Sequence, residues 1–466
     1  MRWIQIPTSR GRRFLCIAVE SVILFLAFLA SVGLRFVESG PADDGHYPLL
    51  LPKALVAVVV LQIALYYADL YEDFTSPARV ELLLRLTKAF LGATVALTLL
   101  FYLAPTLRFG RGIVAFFLPL SLLALFGWRI ACLRFWGSEG MRDAVLILGT
   151  GAAAQDLARE TLARASLEFR VVGFVGEERS EVGRRLVDPS VIGTLAELSM
   201  IVEREGVDRI VVALEDFRGQ LPVTALMRCR LAGIRVEEAA TFFEQLTGKI
   251  LIRNLRPSWF VFSEGFQKPA FVIKTKRLVE LIVAAVALVV LAPFLGLLAL
   301  LIKLDSRGPV FYRQERVGEK GRPFGLIKLR TMRTDAEADT GPVWAQRDGD
   351  ARITRFGLLL RSARLDEIPQ FLNVFRGEMS FVGPRPERPH FVEKLRSVIP
   401  YYDERHTVKP GITGWAQIKF GYGSNLEDAE EKLQYDLYYI KHMTWLFDVR
   451  ILLHTLKVMM FGRGAR

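Results

Sequence analysis

The sequence predicts a membrane protein with three parts: an N-terminal four-helix transmembrane bundle, a Rossmann-like α/β domain, and a C-terminal, mainly helical α+β domain with a re-entrant membrane helix. Three observations predict this architecture. Hydrophobic residues make up 52% of the 466 residues, more than in ordinary soluble proteins. Apolar runs fill the first 140 residues, and strand and helix periods alternate from about residue 141. The predicted domains are 1–140, 141–250, a linker at 251–273, and 274–466.

Four apolar runs, at about 14–34, 50–68, 82–103 and 113–130, predict the transmembrane helices. Each is close to the roughly 20 residues that a spanning helix needs. A cleavable signal peptide would explain only the first run.

Basic residues in the short loops predict the orientation of these helices. One side of the predicted bundle carries ten of them, around Arg12, Arg85 and Arg134, and the other side carries four. The richer side is expected to be cytoplasmic. The N-terminus and the segment after Ile130 would then face the cytoplasm.

The predicted α/β domain begins with "DAVLILGTGAAAQDLARE", which indicates a strand, a glycine turn and a helix. Gly149 and Gly151 fit the first two glycines of a dinucleotide-binding fingerprint, and Glu177 and Glu178 follow the next strand, where they could hold a ribose. The pattern is weak by itself. A tight turn in a regulatory or scaffolding domain is the alternative. The linker at 251–273 is aromatic and basic, which suits packing on a neighbour or on the membrane surface.

Composition narrows the class of ligand. The net charge of +12 indicates either nucleic acid or anionic membranes and phosphate ligands, and the apolar excess favours the second. The three cysteines and five histidines show no spacing typical of a zinc site, a disulfide framework or a Ser-His-Asp triad. Cys16 and Cys132 lie in or beside apolar runs, so packing is their expected role.

Cations are dense after the apolar run at 274–309, for example in "ERVGEKGRPFGLIKLRTM". Lys328 and Arg330 alternate there, so on a strand they would share one face and could bind a diphosphate. The alternative is a solvated basic strand. Arg385 in "FVGPRPERP" lies between two prolines, and rigid flanks reduce the entropy that its guanidinium loses on binding. An ordinary turn is the alternative there.

An acidic pair, Asp366 and Glu367, precedes Pro369 and a helical apolar period. This places Asp366 at or near a helix N-cap, and capping alone would explain it. The functional alternative is that one carboxylate attacks a substrate while the other holds a metal or a proton. Cations just upstream favour an anionic substrate; they are Arg352, Arg355, Arg361 and Arg364.

The C-terminal segment offers further candidates. Trp415 and nearby tyrosines could stack a base or lie at the membrane interface. Asp436 and Asp448 could be metal or substrate ligands, although polar residues of core helices are the simpler interpretation.

Together these motifs resemble the bacterial sugar transferases, the monotopic phosphoglycosyl transferases that load a hexose-1-phosphate onto a polyprenyl phosphate. The matching residues run in order from 276 to about 456 and are Lys276-Arg277, Gly308-Pro309, Gln314 to Gly318, Lys328 to Met332, Leu365 to Gln370, Val382 to Pro386, and Lys409 to Gly414. The whole chain looks like the long exopolysaccharide-initiating members. Related dehydratases follow a similar N-terminal half with a second Rossmann domain, which this chain lacks.

The resemblance implies a mechanism. Asp366 would attack the β-phosphate of a UDP-sugar, UMP would leave, and polyprenyl (undecaprenyl) phosphate would attack the aspartyl intermediate. Mg²⁺ would be held by Glu367 and Asp366. The phosphates would be bound by Lys328, Arg330, Arg361, Arg385 and Arg316.

The resemblance also implies a setting: the first membrane step of exopolysaccharide, capsule or O-antigen synthesis, with membrane lipids and downstream glycosyltransferases as neighbours. A homodimer is expected from the surface that the bundle and the α/β domain offer. Many relatives carry Ser-Pro where this chain has Ala292-Pro293, so the re-entrant turn would rest on Pro293 alone. Basic residues on both flanks of the run favour a cytoplasmic position for both of its ends.

Two other classes of function are distinguishable. A membrane scaffold without catalysis would bind lipids or enzymes but release no UMP. A nucleic-acid-binding protein would fit the charge but not the acidic pair, so no nucleic-acid partner is expected.

Overall fold

A computed structural model of the chain describes residues 9–39, 50–68, 70–71, 79–136, 142–164, 169–214, 221–252, 263–333, 352–420 and 425–461. The chain folds as two compact units, Met1–Ala239 and Ala240–Arg466. Within the second unit, Glu244 forms ion pairs with Lys441 and His442. The predicted domain boundaries stay predictions, and residues 253–262 of the predicted linker lie outside the described residues.

Four long apolar helices open the first unit: α1 (Ser9–Ser39), α2 (Leu50–Tyr67), α3 (Arg79–Leu103) and α4 (Arg111–Trp136). Each contains a segment long and apolar enough to cross a membrane. Their inward side chains, among them Leu24, Leu61 and Phe117, form one buried apolar cluster. These helices are those of a membrane protein. The predicted spanning arrangement and its orientation stay predictions. All three cysteines are buried and none forms a disulfide, in agreement with a packing role.

A polar cluster is buried among these apolar helices. The Glu20 carboxylate of α1 forms an ion pair with Arg129 of α4, with 3.1 Å between Arg129 Nη2 and Glu20 Oε2. Arg129 Nη1 also donates to the carbonyl of Leu70 at 2.6 Å, and the Tyr71 hydroxyl contacts both Glu20 and Gln62. An unpaired charge in apolar surroundings is costly, so each of these groups depends on the others. We call them the Glu20–Arg129 cluster.

The α/β part of the first unit is a parallel five-stranded sheet, as the alternation of strand and helix periods predicted. The strand order is β3-β2-β1-β4-β5. The central strand is buried from its second residue to its last, because it is apolar and covered on both faces. The strands are β1 (Asp143–Leu148), β2 (Phe169–Gly176), β3 (Val191–Thr194), β4 (Arg209–Val212) and β5 (Arg235–Glu238), and the helices are α5 (Ala152–Arg164), α6 (Leu198–Glu205) and α7 (Val223–Leu231).

The second unit is mainly helical, with two small two-stranded sheets. Strands β6 (Phe311–Val317) and β7 (Pro323–Leu329) form an antiparallel hairpin, and β8 (Ser380–Val382) pairs in parallel with β9 (Gly411–Thr413). The helices are α8 (Ala239–Thr247), α9 (Ala270–Asp305), α10 (Arg355–Ser362), α11 (Gln370–Arg376), α12 (Pro389–Val398), α13 (Trp415–Lys419), α14 (Leu426–His442) and α15 (Trp445–Phe461).

Helix α9 is the apolar segment for which the sequence predicts a re-entrant turn. It runs for 36 residues and continues through Pro293. Near its start, Lys276 forms an ion pair with Asp448, and Arg277 donates to the carbonyls of Val374 and Phe375 at 2.6 and 2.9 Å. Both cations of this motif therefore bind protein groups.

Both flanks of Pro293 pack against the same unit. On the N-terminal side, Ala284 packs with Leu326 of β7, and on the C-terminal side, Leu298 packs with Leu329 of the same strand. Between these contacts the side chains are outward; Val289 and Val290 are 75% and 65% exposed. Helix α9 thus packs against β7 on both sides of Pro293, and side chains between these two contacts, such as Val289 and Val290, are exposed. The bend at Pro293 stays a prediction.

Candidate active site

Asp366 and Glu367 lie in a short 3₁₀ turn, Leu365–Glu367, between α10 and α11. Both side chains are buried, with 8% and 9% of their surface exposed. Asp366 lies near the start of α11 but does not cap it: the N-cap of α11 is Pro369, three positions later, and no side chain makes a cap hydrogen bond there. The 3₁₀ turn separates the acidic pair from that helix. Capping therefore does not account for these buried carboxylates.

Two cations meet the acidic pair from separate elements. Lys328, on β7, places its Nζ 3.3 Å from Glu367 Oε1 and 3.9 Å from Asp366 Oδ2. Arg385, which follows β8, donates from Nη2 to Glu367 Oε1 at 2.8 Å. Two carboxylates and two cations thus form one compact cluster in which the charges cancel.

The surroundings shift the pKa values of the two acids in opposite directions. Burial raises the pKa of Asp366, with a further contribution from Glu367, although Lys328 opposes the shift. Burial also acts to raise the pKa of Glu367, but Arg385 and Lys328 outweigh it and hold that pKa well below its usual range. Adjacent acids with separated pKa values are typical of sites where the two carboxylates have different tasks.

Close backbone packing fixes the loop that carries Arg385. The Gly383 N–H donates to the Thr413 carbonyl and the Gly411 N–H donates to the Pro384 carbonyl, both at 2.9 Å. A Cβ on Gly383 would lie 2.4 Å from the Lys409 carbonyl oxygen, and a Cβ on Gly411 would lie 2.1 Å from the Gly383 nitrogen. Glycines are needed here because the two loops touch backbone to backbone. The glycine motifs thereby hold Arg385 towards Glu367.

The buried ion pair of Arg405 and Asp436 contacts the backbone of Arg385. Arg405 Nη2 donates to the Arg385 carbonyl at 3.0 Å and to Asp436 Oδ2 at 2.8 Å, and its Nη1 donates to the Tyr402 hydroxyl at 2.7 Å. Burial raises the pKa of Asp436 to about 6, although Arg405 opposes the shift. The simpler interpretation of Asp436 and Asp448 is supported, since Asp448 binds Lys276 and Tyr439. Sequence reasoning missed Arg405 because its partners are distant in the chain.

Asn373 is a second positioning residue that sequence reasoning missed. It is fully buried on α11, accepts from the Ile327 N–H at 3.1 Å and donates to the Gly325 carbonyl at 2.9 Å. It thereby joins α11 to β7, the strand of Lys328. A lone amide within the apolar period "FLNVF" was the signal for it.

The other three predicted phosphate ligands, Arg330, Arg361 and Arg316, bind other protein groups. Arg330 donates to the carbonyls of Ser306 and Arg307 and secures the end of α9. It does not join Lys328, because β7 ends at Leu329 and the predicted shared strand face ends with it. The roles of Arg330 and of the two arginines below as phosphate ligands stay predictions.

Arg361 contacts a neutral hydroxyl, and Arg316 contacts both Gln314 and the carboxylate of Glu387. Arg361 Nε donates to the Thr331 hydroxyl at 2.9 Å, and Arg361 acts electrostatically on Asp366. Arg316 donates to Gln314, and burial lowers the pKa of its guanidinium to about 10.

Trp415 and Gly149 are two further residues that the sequence singled out as candidates. Trp415 is buried and stacks on Tyr438 in the core of the second unit, so the prediction that it stacks a base or lies at the interface is wrong. In the α/β part, Gly149 adopts a left-handed φ of 118° against the Ala213 carbonyl.

The predicted nucleotide site beside Gly149 and Gly151 stays a prediction. The Thr150 hydroxyl donates to the Glu181 carboxylate at 2.7 Å, and the Glu177 N–H also donates to Glu181, at 3.2 Å. A carboxylate beside this turn weighs against a phosphate there.

Comparison with known families matches residues 271–462 to the family described as bacterial sugar transferase and residues 67–226 to a CoA-binding domain. One relative, the UDP-N-acetylgalactosamine-undecaprenyl-phosphate N-acetylgalactosaminephosphotransferase of Aeromonas hydrophila, is 41% identical over 241 residues, 52% of this chain and 56% of the relative. An undecaprenyl-phosphate glucose phosphotransferase of Komagataeibacter xylinus is 32% identical over 329 residues, 69% of this chain. The chain covers 60% of that relative, so it spans little more than half the length of these two proteins.

A shorter relative is covered almost completely. The exopolysaccharide production protein PSS of Rhizobium leguminosarum is 40% identical over 188 residues, which are 39% of this chain and 92% of the relative. The family model spans residues 271–462, the part of the second unit that carries the acidic pair and its cations.

Proposed function

This chain belongs to the bacterial sugar transferase family, and we propose that it transfers a sugar-1-phosphate from a UDP-sugar to undecaprenyl phosphate with release of UMP. The observation that carries the proposal is the buried Asp366 beside Lys328, Glu367 and Arg385. The proposed place of the reaction is the cytoplasmic face of a bacterial inner membrane, at the first membrane step of a polysaccharide pathway.

Asp366 is the proposed nucleophile. One of its carboxylate oxygens forms a bond to the β-phosphorus of the donor, the bond from that phosphorus to the bridging oxygen breaks, and UMP leaves. A phosphate oxygen of undecaprenyl phosphate then attacks the same phosphorus, and the Asp366 carboxylate is released. This two-step course is covalent catalysis and predicts ping-pong kinetics.

Lys328 and Arg385 are proposed to stabilise the charge on the transferred phosphoryl group. Both already point at the carboxylate next to the nucleophile, so they need little reorganisation when the donor binds. Glu367 holds the two cations in place, and its lowered pKa keeps it ionised across the physiological range. The raised pKa of Asp366 would fall when a cation of the substrate complex approaches it.

Mg²⁺ is the proposed cofactor, and the residues fit it. Among the described residues there is no group of three or more metal-ligating side chains, so no cage made by the protein alone exists there. Mg²⁺ commonly binds through one or two carboxylates plus substrate phosphates, and Asp366 and Glu367 can supply the carboxylates. When bound, the ion would offset the charge of the donor diphosphate.

The proposed re-entrant course of α9 would set this site at the height of the lipid phosphates. It is supported by the contacts that hold the helix on both sides of Pro293 to β7, since a straight span would carry the two sides to opposite leaflets. Pro293→Ala with a C-terminal reporter tests the cause of the turn. A cytoplasmic reporter and unchanged activity in this variant would show that Pro293 does not produce it.

The function is tested with the purified full chain in lipid nanodiscs, undecaprenyl phosphate, Mg²⁺ and either UDP-glucose or UDP-N-acetylgalactosamine. We expect UMP release with one of the donors, none with Asp366→Asn, and a sugar-phosphoryl adduct on Asp366 by mass spectrometry when the lipid is omitted. Full activity of Asp366→Asn would refute the covalent mechanism. No UMP release from either donor would favour the scaffold alternative.

Two partner proposals accompany this function. The chain is expected to form a homodimer, which its mass in nanodiscs would test, and to pass its product to downstream glycosyltransferases. A monomeric mass would remove the first proposal.

A further inference from the structure

Arg364 directly precedes the turn of the acidic pair and has an unusual backbone. Its φ of 53° and ψ of 23° are left-handed, a conformation that glycine adopts without steric cost and that an arginine disfavours. Among the described residues, Lys320 and Tyr401 are the other non-glycine residues with positive φ. A disfavoured backbone beside reactive groups points to a task that the side chain performs.

The guanidinium of Arg364 has no ion-pair partner among the described residues. The side chain is half-buried, and its guanidinium makes no hydrogen bond or ion pair with the part of the chain that the structure describes. It nevertheless lies close enough to Glu367 to act on that carboxylate electrostatically. Lys328 and Arg385, by contrast, are already paired with Glu367.

The charge balance of the cluster shows what an unpaired cation can do there. Asp366 and Glu367 cancel Lys328 and Arg385, so the four groups together offer no net attraction to an incoming dianion. Arg361 also acts on Asp366, but its Nε already donates to the Thr331 hydroxyl. The guanidinium of Arg364 adds a further positive charge and matches the geometry of two phosphate oxygens. Arg364 directly precedes the turn of Leu365 and Asp366, so its positive charge lies beside the proposed nucleophile.

We propose that Arg364 binds the diphosphate of the UDP-sugar donor. This inference rests on the proposed function and adds a donor-binding residue to it. Arg364 contacts the diphosphate of the donor in the first half-reaction. UMP leaves before the lipid phosphate attacks, so the second half-reaction has no diphosphate for Arg364 to bind. Its loss therefore weakens donor binding and spares the use of undecaprenyl phosphate.

The structure provides a matched control. Lys320, in the turn between β6 and β7, has a φ of 57° and an exposed side chain, and that turn is at the opposite end of β7 from Lys328. Arg364→Gly and Lys320→Gly each remove one positive charge and one left-handed Cβ. Relief of the backbone offsets the greater freedom of glycine in the unfolded chain, so neither change should lower the Tm.

The experiment measures KM for the donor, KM for undecaprenyl phosphate and Tm in nanodiscs for the wild type, both glycine variants and Arg364→Lys. Loss of a charge-assisted contact raises the donor KM about 10- to 100-fold in Arg364→Gly. The KM for the lipid and all values of Lys320→Gly stay unchanged, and Arg364→Lys recovers part of the loss. An unchanged donor KM in Arg364→Gly, or an equal rise in Lys320→Gly, overturns the proposal.

Binding of UDP by isothermal titration calorimetry separates this proposal from the proposed function. A wild type that releases no UMP contradicts the function, yet its UDP affinity can still be compared with that of Arg364→Gly. Equal affinities overturn the role of Arg364, and a weaker affinity confined to Arg364→Gly supports it.

Discussion

Substituting Gly383 by alanine should disable the site without touching any charged group. The new Cβ would lie 2.4 Å from the Lys409 carbonyl oxygen, whereas ordinary contacts begin at 3.4 Å, so the loop must move by the difference of 1.0 Å. Arg385 lies two residues further on, and its 2.8 Å hydrogen bond to Glu367 would lengthen to about 3.8 Å, which is no longer a hydrogen bond. A misplacement of about 1 Å can cost on the order of 100-fold in rate.

The assay is the initial rate of UMP release at saturating donor, with Tm measured on the same preparations. We expect a loss of about 100-fold for Gly383→Ala, together with a moderate fall in Tm from the crowded backbone. The matched control is Gly296→Ala on α9, where an added Cβ has no neighbour within 4 Å. A Gly383→Ala enzyme as fast as the wild type would show that the glycine contact does not position Arg385.

Four further predictions concern the charges. At pH 7, Asp366→Asn should raise the Tm, because burial raises the pKa of Asp366 and its ionised form destabilises the fold; the gain should vanish below the ordinary aspartate pKa of about 3.9. Glu367→Gln should lower the Tm at pH 7, because the lowered pKa of Glu367 stabilises the fold above about pH 4.3 and this is lost as the pH falls; equal Tm changes in both variants would contradict the assignment. In a pH–rate profile, kcat/KM should fall on the acid side with an apparent pKa above that of an ordinary aspartate, because Asp366 must be ionised to attack. Glu367 variants that keep activity should retain this fall. Arg405→Met should cost about 3–5 kcal/mol of unfolding free energy because it leaves Asp436 buried and unpaired, and adding Asp436→Leu should recover part of it in urea unfolding.

Much of the fold was predictable because its signals are local. The apolar runs of the first unit are long enough that a membrane helix is the simplest interpretation, and the alternation after residue 141 predicted the parallel sheet. The division of the chain near residue 240 was not predictable, because it depends on contacts such as Glu244 with Lys441, almost 200 positions apart in the chain. Such pairs leave no periodic trace in one sequence.

The acidic pair was found because two adjacent carboxylates before a proline are conspicuous, and the structure brings Lys328 and Arg385 to them. Local rules failed where tertiary structure overrode them. The alternation of Lys328 and Arg330 suggested one strand face, but the strand ends between them. The supporting ion pair of Arg405 and Asp436 joins segments 31 positions apart, so neither residue looked unusual alone.

The Glu20–Arg129 cluster bears on how the first helix can be treated in an experiment. Glu20 lies in α1 and its partner Arg129 in α4, so the first helix supplies the counter-charge of the fourth. A shortened protein that starts after α1, as one would make if that helix were a removable leader, would strand a guanidinium among apolar side chains. Truncation from the N-terminus should therefore be paired with Arg129→Leu, or be made beyond the four helices altogether.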